Sequence, residues 1–261
     1  MIGCLCLHGF TGSPWEVEPL ANRLSRRKGW LVYTPVLPGH DDGEEITSAT
    51  HQAWIYKADL AARELFLHCD KVYVIGFSMG GMLAAYIAAR YPVERLVLLS
   101  AAAQYISPGQ LMRDAGEIIE SGLRGEMRKH PWYPIFSNKM KTPIKAVAEF
   151  YKAIREIQPF INRIEVPVFI GQGVQDGLVP RRSAEYLFKE ISAPVKQLYF
   201  YEQSKHLLCH GINREQVLDD VEKFIFMEKL TTKKIFKSIE IGADAVRSLE
   251  ERGKQHESST T

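Results

Sequence analysis

The chain has 261 residues, 46% of them hydrophobic and 25% charged, which fits one globular domain or one domain with an insertion. A formal net charge of +2 points to no particular partner, and there is no concentrated basic stripe of the kind a nucleic-acid binder needs. The four cysteines (Cys4, Cys6, Cys69 and Cys209) form no C-x-x-C pair, so neither a zinc site nor a dithiol motif is indicated.

Residues 2–7 are a short continuous apolar run, which suits a strand buried on both faces, with Cys4 and Cys6 as core thiols. The run is too short for a secretory signal, and no stretch approaches the ~18–20 apolar residues of a membrane span. A reducing, cytoplasmic setting is the expectation. A glycine-bearing turn follows at residues 8–14. Trp15, Val17, Leu20 and Leu24 then have helical spacing, with Ser13 as N-cap, Pro14 at the first helical position and Gly29 as C-cap. Residues 30–35 read as a second strand and 37–43 as a polar loop.

Residues 50–68 predict a helix whose inner face holds Trp54, Ala58, Ala61, Leu65 and Phe66. Residues 71–75 predict a strand, the run after Ser78 a helix that stops near Tyr91-Pro92, and residues 95–100 a further strand. Strands and helices alternate with short links, which predicts a doubly wound parallel α/β sheet. The rhythm breaks over residues 101–164, where helical patches at 111–123 and 144–157 flank a Pro- and aromatic-rich link at 130–136. That stretch reads as a helical insertion over one end of the sheet. The alternation resumes with strands at 166–171 and 195–201, helices at 181–190 and 214–226, and loops at 173–180 and 202–211. The organisation is therefore a core from 1–100 and 165–228, an insertion at 101–164, and a tail at 229–261.

In the tail, Ile235, Ile239, Gly242, Val246 and Leu249 make a heptad-like stripe on an amphipathic helix. It suits packing on its own domain and leaves pairing with a second copy, a homodimer, or a membrane surface open. The last residues, 254–261, are polar.

The chemistry centres on Gly76-Phe77-Ser78-Met79-Gly80, a G-x-S-x-G between a strand and a helix. A serine at the apex of such a sharp turn points its hydroxyl away from the backbone, above the free N–H groups of a helix start. A serine hydroxyl is a weak nucleophile near neutral pH. It needs a base, and the base needs an orienting carboxylate. In a parallel sheet such groups gather at the carboxyl ends of strands. Asp176 and His206 each follow a later strand and are the candidates. Asp176 as a simple turn former before Gly177, Glu202 as the carboxylate and His210 as the base are the alternatives. Two N–H donors are needed for a developing oxyanion: Met79 supplies one, and Phe10, in the loop after the first strand, the other. His8 is read as ordering that loop.

Leu7-His8-Gly9-Phe10-Thr11-Gly12, Pro35-Val36-Leu37-Pro38-Gly39-His40, Gly76 to Gly81 and Ser204-Lys205-His206 together resemble the α/β-hydrolase superfamily. More narrowly, they resemble small bacterial carboxylesterases and monoacylglycerol lipases, over roughly residues 2–226. The resemblance implies an α/β-hydrolase fold with a helical cap at 101–164. It implies a nucleophile Ser78, acid Asp176 and base His206, in that family's chain order, with Phe10 and Met79 as oxyanion donors. The chain departs from the pattern by starting at the oxyanion-loop strand and by reading Gly39-His40-Asp41-Asp42 where G-H-G is common.

The implied activity is hydrolysis of a small-molecule ester with an apolar acyl group, through an acyl-enzyme and without metal or organic cofactor. Phe10, Trp132, Tyr133, Phe136, Phe150 and Tyr151 are candidates to line the acyl pocket. A thioesterase, a lysophospholipase or a peptidase on the same triad is the alternative, and a non-catalytic binding protein on this fold is the more distant one.

Overall fold

Strand β1, Ile2–Leu7, is buried almost throughout, and the sheet grows outward from it in both directions. The computed structural model describes residues 1–41, 44–104 and 143–227. Six strands, β1, β2 (Trp30–Tyr33), β3 (Lys71–Phe77), β4 (Arg95–Leu99), β5 (Val168–Gly173) and β6 (Lys196–Tyr201), lie in the order β2-β1-β3-β4-β5-β6. Every pairing is parallel.

Six helices are described: α1 (Glu18–Ser25), α2 (His51–His68), α3 (Met79–Ala88), α4 (Ile144–Ile157), α5 (Arg181–Glu190) and α6 (Arg214–Phe226). Strand residues alternate between two apolar layers. Leu5, Leu7, Val72, Val74, Leu96, Leu98, Val168 and Ile170 face α2, α3, α4 and α5. Cys4, Cys6, Ile75, Phe77, Val97, Leu99 and Phe169 face α1 and α6. Burial on both faces is why these strands read as continuous apolar runs. The sheet is doubly wound, as the alternation predicts. Winding reverses between β1 and β3, so the loops leaving these two strands part around a crevice at the carboxyl edge.

Several boundaries shift. The helix expected from Ser13 to Gly29 is a 3₁₀ turn, Pro14–Val17, followed by α1, and Ser13 makes no side-chain cap. Pro19 falls in the first turn of α1 and cannot donate its backbone nitrogen, so the helix restarts there. Arg26 is the C-cap, and Gly29, at φ 84°, turns the chain into β2 instead. Strand β5 begins after Pro167 and continues through Gln172 and Gly173, which pair with Phe200 and Tyr201. The helix read over 50–68 begins at His51, with Thr50 capping it through the Ala53 N–H. The helix read over 111–123, the link at 130–136 and the tail stripe lie outside the described residues. Among the described residues no helix is long and apolar enough to cross a membrane.

Helix α4 is strongly amphipathic and packs on α2 and α3. A polar bolt joins it to the start of α2. Glu149, 8% exposed, takes the His51 backbone N–H at 3.0 Å, His51 Nδ1 at 2.6 Å and Lys152 Nζ at 2.7 Å. His51 Nε2 lies 3.0 Å from Glu156. Lys152 first, then the His51 backbone and ring, hold the Glu149 carboxyl down to about 2. A carboxyl depressed in the folded state stabilises above its ordinary value, and that contribution is lost as pH falls through the folded one. The thermal midpoint is therefore expected to drop between pH 4.5 and about 2, with a shallower drop in Glu149→Gln. Identical pH profiles for the two proteins would refute a role for this bolt.

Candidate active site

Strand β3 runs directly into Ser78, which stands at φ 54°, ψ −117° as the N-cap of α3. An L-residue is strained there, and the conformation persists only when its surroundings fix it. They do: Ser78 N–H donates to Leu99 O, and Ser78 O accepts from Gly81 and Ala102. The turn is too tight for side chains on its inner wall. A Cβ on Gly76 would lie 2.2 Å from Gly80 O, and one on Gly80 the same distance from Leu7 O. The G-x-S-x-G glycines are thus dictated by backbone touching backbone.

His206 and Asp176 come to this serine from the loops after β6 and β5. His206 Nε2 is 3.1 Å from Ser78 Oγ, and His206 Nδ1 is 2.8 Å from Asp176 Oδ2. An ionised carboxylate only accepts, so the proton on His206 belongs on Nδ1, and Nε2 is left to accept from the serine hydroxyl. Because β5 extends to Gly173, Asp176 lies three residues past the strand rather than five. Its Oδ1 takes the N–H groups of Leu178 and Val179, each at 2.9 Å, and Oδ2 also takes Gln172 Nε2 at 2.8 Å. Burial alone would push this carboxyl up. The His206 ring and the two loop N–H groups outweigh it and hold the carboxyl below its ordinary value. Ser100 Oγ donates to the backbone His206 O at 3.0 Å and holds the chain behind the ring. His210 is turned elsewhere, stacked on Trp15 with Nε2 2.8 Å from Trp15 O.

The loop after β1 closes the other side. His8, fully buried, accepts the Leu37 N–H at Nε2 and so donates from Nδ1 to Gly9 O at 2.9 Å. His40 accepts the Thr11 N–H at Nε2 and donates from Nδ1 to Pro38 O. Burial, then the neighbouring His8, lowers His40 to about 4, which keeps that accepting nitrogen bare near neutral pH. Met79 is the first residue of α3. Among the described residues no group accepts from the N–H of Met79 or of Phe10. Met79 follows Ser78 directly, and Gly9, the residue before Phe10, lies against the Ser78 side chain, where a Cβ on Gly9 would be 3.1 Å from Ser78 Cβ.

The Phe10 ring stacks on Phe150 at 5.0 Å and meets Trp54 edge-on at 5.7 Å. Phe150 is 1% exposed and backs Phe10 from the core, with Tyr151 beside it at 5.8 Å. Trp132, Tyr133 and Phe136 lie outside the described residues. Gln172, Ser100 and His40 were not singled out from the sequence. Only His40 left a trace, as the end of the Pro35 to His40 motif.

The alpha/beta hydrolase family model matches residues 4–219. A thermostable monoacylglycerol lipase of Bacillus sp. (strain H-257) is 26% identical over 226 residues, 84% of this chain and 88% of the relative. A carboxylesterase of Bacillus subtilis (strain 168) is 25% identical over 238 residues, 87% and 92% of the two chains. Among solved structures, one reported with the metagenome-derived lipolytic enzymes LipS and LipT superposes with a TM-score of 0.71 at 26% identity, covering 87% of this chain and 94% of the other. An esterase from Exiguobacterium antarcticum, with a TM-score of 0.65 and 20% identity over 86% and 92%, shares the fold.

Proposed function

The chain belongs to the alpha/beta hydrolase family, and on that premise we propose that it is a serine hydrolase of carboxylic esters, of the carboxylesterase or monoacylglycerol lipase type. The observation that carries this reading is the unbroken run from Asp176 through His206 to Ser78, 2.8 Å and then 3.1 Å. In the proposed mechanism His206 Nε2 takes the proton of Ser78 Oγ as the oxygen attacks the ester carbonyl. Asp176 keeps the ring in the tautomer that can do so and stabilises the imidazolium that forms. The Phe10 and Met79 N–H groups receive the oxyanion, each worth roughly 3–4 kcal/mol in the transition state. The tetrahedral species collapses and the alcohol leaves with the proton from His206. Water then attacks the acyl-serine by the same route, releasing the acid and restoring Ser78.

We assign the reacting groups to the core, residues 1–100 and 165–228, and read 101–164 as a cap. Phe10, backed by Phe150 and Trp54, gives one wall an apolar character that suits an acyl chain. The names of the two Bacillus relatives agree with an ester substrate.

A fluorophosphonate followed by peptide mass spectrometry tests the nucleophile. The adduct is expected on the peptide holding Ser78, and to vanish when the protein is denatured first. A folded protein that takes no label, or takes it elsewhere, would sink the assignment. An ester series of rising acyl length, run beside thioesters, lysophospholipids and peptides, then reads the substrate class, with turnover expected on the esters.

A further inference from the structure

We infer that Glu16 is a positioning residue for the oxyanion donor on Phe10, an inference that rests on the ester-hydrolase reading above. Glu16 sits in the 3₁₀ turn Pro14–Val17 and is 4% exposed. A buried carboxylate is costly to keep, so its contacts deserve a reason. Its Oε2 accepts the Gly9 N–H at 2.8 Å. Its head group also lies directly over Gly12. A Cβ there would meet Oε2, Cδ and Oε1 of Glu16 at 2.0, 2.2 and 2.4 Å. Gly12 has no positive φ to explain it, so the space taken by Glu16 is what calls for glycine at that position.

The consequence for Phe10 follows from peptide geometry. Gly9 joins two peptide planes, and its φ and ψ are the softest torsions of the loop because it has no Cβ. A Cβ there would be a tight fit, 3.1 Å from both Ser78 Cβ and Glu16 Oε2. The second plane, Gly9–Phe10, carries the Phe10 N–H on the side opposite Gly9 O. That carbonyl is held by His8 Nδ1 at 2.9 Å and by the Gly12 N–H at 3.2 Å. The first plane, His8–Gly9, is held through its N–H by Glu16 alone among the described side chains. With both planes pinned, φ and ψ of Gly9 are fixed and the Phe10 N–H is aimed before substrate arrives. Without Glu16 the first plane can rock, and the donor must be re-aimed in each turnover. Such a loss falls on the transition state, where the oxyanion exists, and spares the ground state.

The test is a double-mutant cycle on Glu16 and Gly12. Glu16→Ala is expected to lower kcat by ~10–10²-fold with KM within ~3-fold, and Glu16→Gln, which keeps an acceptor, to recover part of that loss. Gly12→Ala should show the same pattern, because its methyl group displaces the carboxylate. In Gly12→Ala/Glu16→Ala the methyl group has room, so the pair should be no worse than Glu16→Ala. Affinity for a trifluoromethyl ketone, which forms a tetrahedral adduct, should fall in step with kcat. That readout separates aim from mere folding. Unchanged kcat in folded Glu16→Ala, Glu16→Gln no better than Glu16→Ala, or additive losses in the pair would each overturn the inference. If Glu16→Ala does not fold, Gly12→Ala and Glu16→Gln carry the kinetics: normal kcat in both overturns the inference. Ser78→Ala run in parallel distinguishes the two levels. An active Ser78→Ala refutes the mechanism itself, whereas a dead Ser78→Ala beside normal Glu16 variants refutes only the role of Glu16.

Discussion

Ser78→Ala is expected to lower kcat by about 10⁴–10⁶-fold with the melting temperature nearly unchanged. The fold should tolerate the change for a local reason. Ser78 already stands at φ 54°, and alanine in the same backbone conformation meets the same strain. The hydroxyl contributes one hydrogen bond, to His206 Nε2, and His206 remains held by Asp176 and, through its carbonyl, by Ser100. What is lost is the oxygen that stands 3.1 Å from His206 Nε2 at the start of α3. The residual rate would be that of water attacking an ester bound beside the Phe10 and Met79 N–H groups. Steady-state kinetics on a short-chain ester, with a thermal melt of the same preparation, checks both halves. Near-normal turnover from the purified variant would reject Ser78 as nucleophile.

The centre of the sheet was legible because its inner strands are buried on both faces. Apolar runs fill residues 2–7, 72–75 and 96–99 inside the strands read at 2–7, 71–75 and 95–100, and strands β1, β3 and β4 lie there within two residues. Ser78 was legible because glycines at −2 and +2 mark a turn in which backbone touches backbone, a local constraint that a sequence displays. Asp176 and His206 follow strands, in loops that the structure brings to Ser78. Their mutual distances are set by the pairing of β5 with β6 and of β5 with β4, which no local pattern encodes. Supporting residues were hidden for a related reason. Ser13-x-x-Glu16 has the form of a capping box, in which the glutamate would reach back to the Ser13 N–H. The structure sends that carboxylate to Gly9 instead, and Ser13 caps nothing. Gln172 falls just past the strand read at 166–171, at the edge of a loop, whereas the structure continues β5 through it. Its amide in fact donates to Asp176, Gly173 and Val179. His40 accepts from Thr11, 29 residues earlier in the chain, a contact visible only after β1 and β2 have paired.

Asp176→Asn is expected to lower kcat by about 10⁴-fold, and the surroundings of Asp176 say why so small a change should matter. Among the described residues its carboxylate faces four donors and no acceptor: Leu178 N–H and Val179 N–H on one oxygen, His206 Nδ1 and Gln172 Nε2 on the other. Asparagine must turn its NH₂ toward one pair or the other. Turned toward His206, it meets N–H groups of the ring and of Gln172. The ring answers by moving its proton to Nε2, where it faces Ser78 Oγ and can no longer accept from it. Turned toward the loop, the NH₂ meets Leu178 and Val179, and two buried N–H groups lose their acceptor at roughly 1–3 kcal/mol each. The first arrangement removes the base and keeps the fold. The second keeps the tautomer and loosens the loop that carries residue 176. A melting curve read beside kcat tells them apart: activity lost at a constant midpoint selects the tautomer, and activity retained with a lower midpoint selects the loop. Full activity at an unchanged midpoint would mean that the carboxylate does nothing the amide cannot. In that case Asp176 would be a turn former before Gly177, and the His206 ring would take its orientation from Ser78 and from its packing on Phe77.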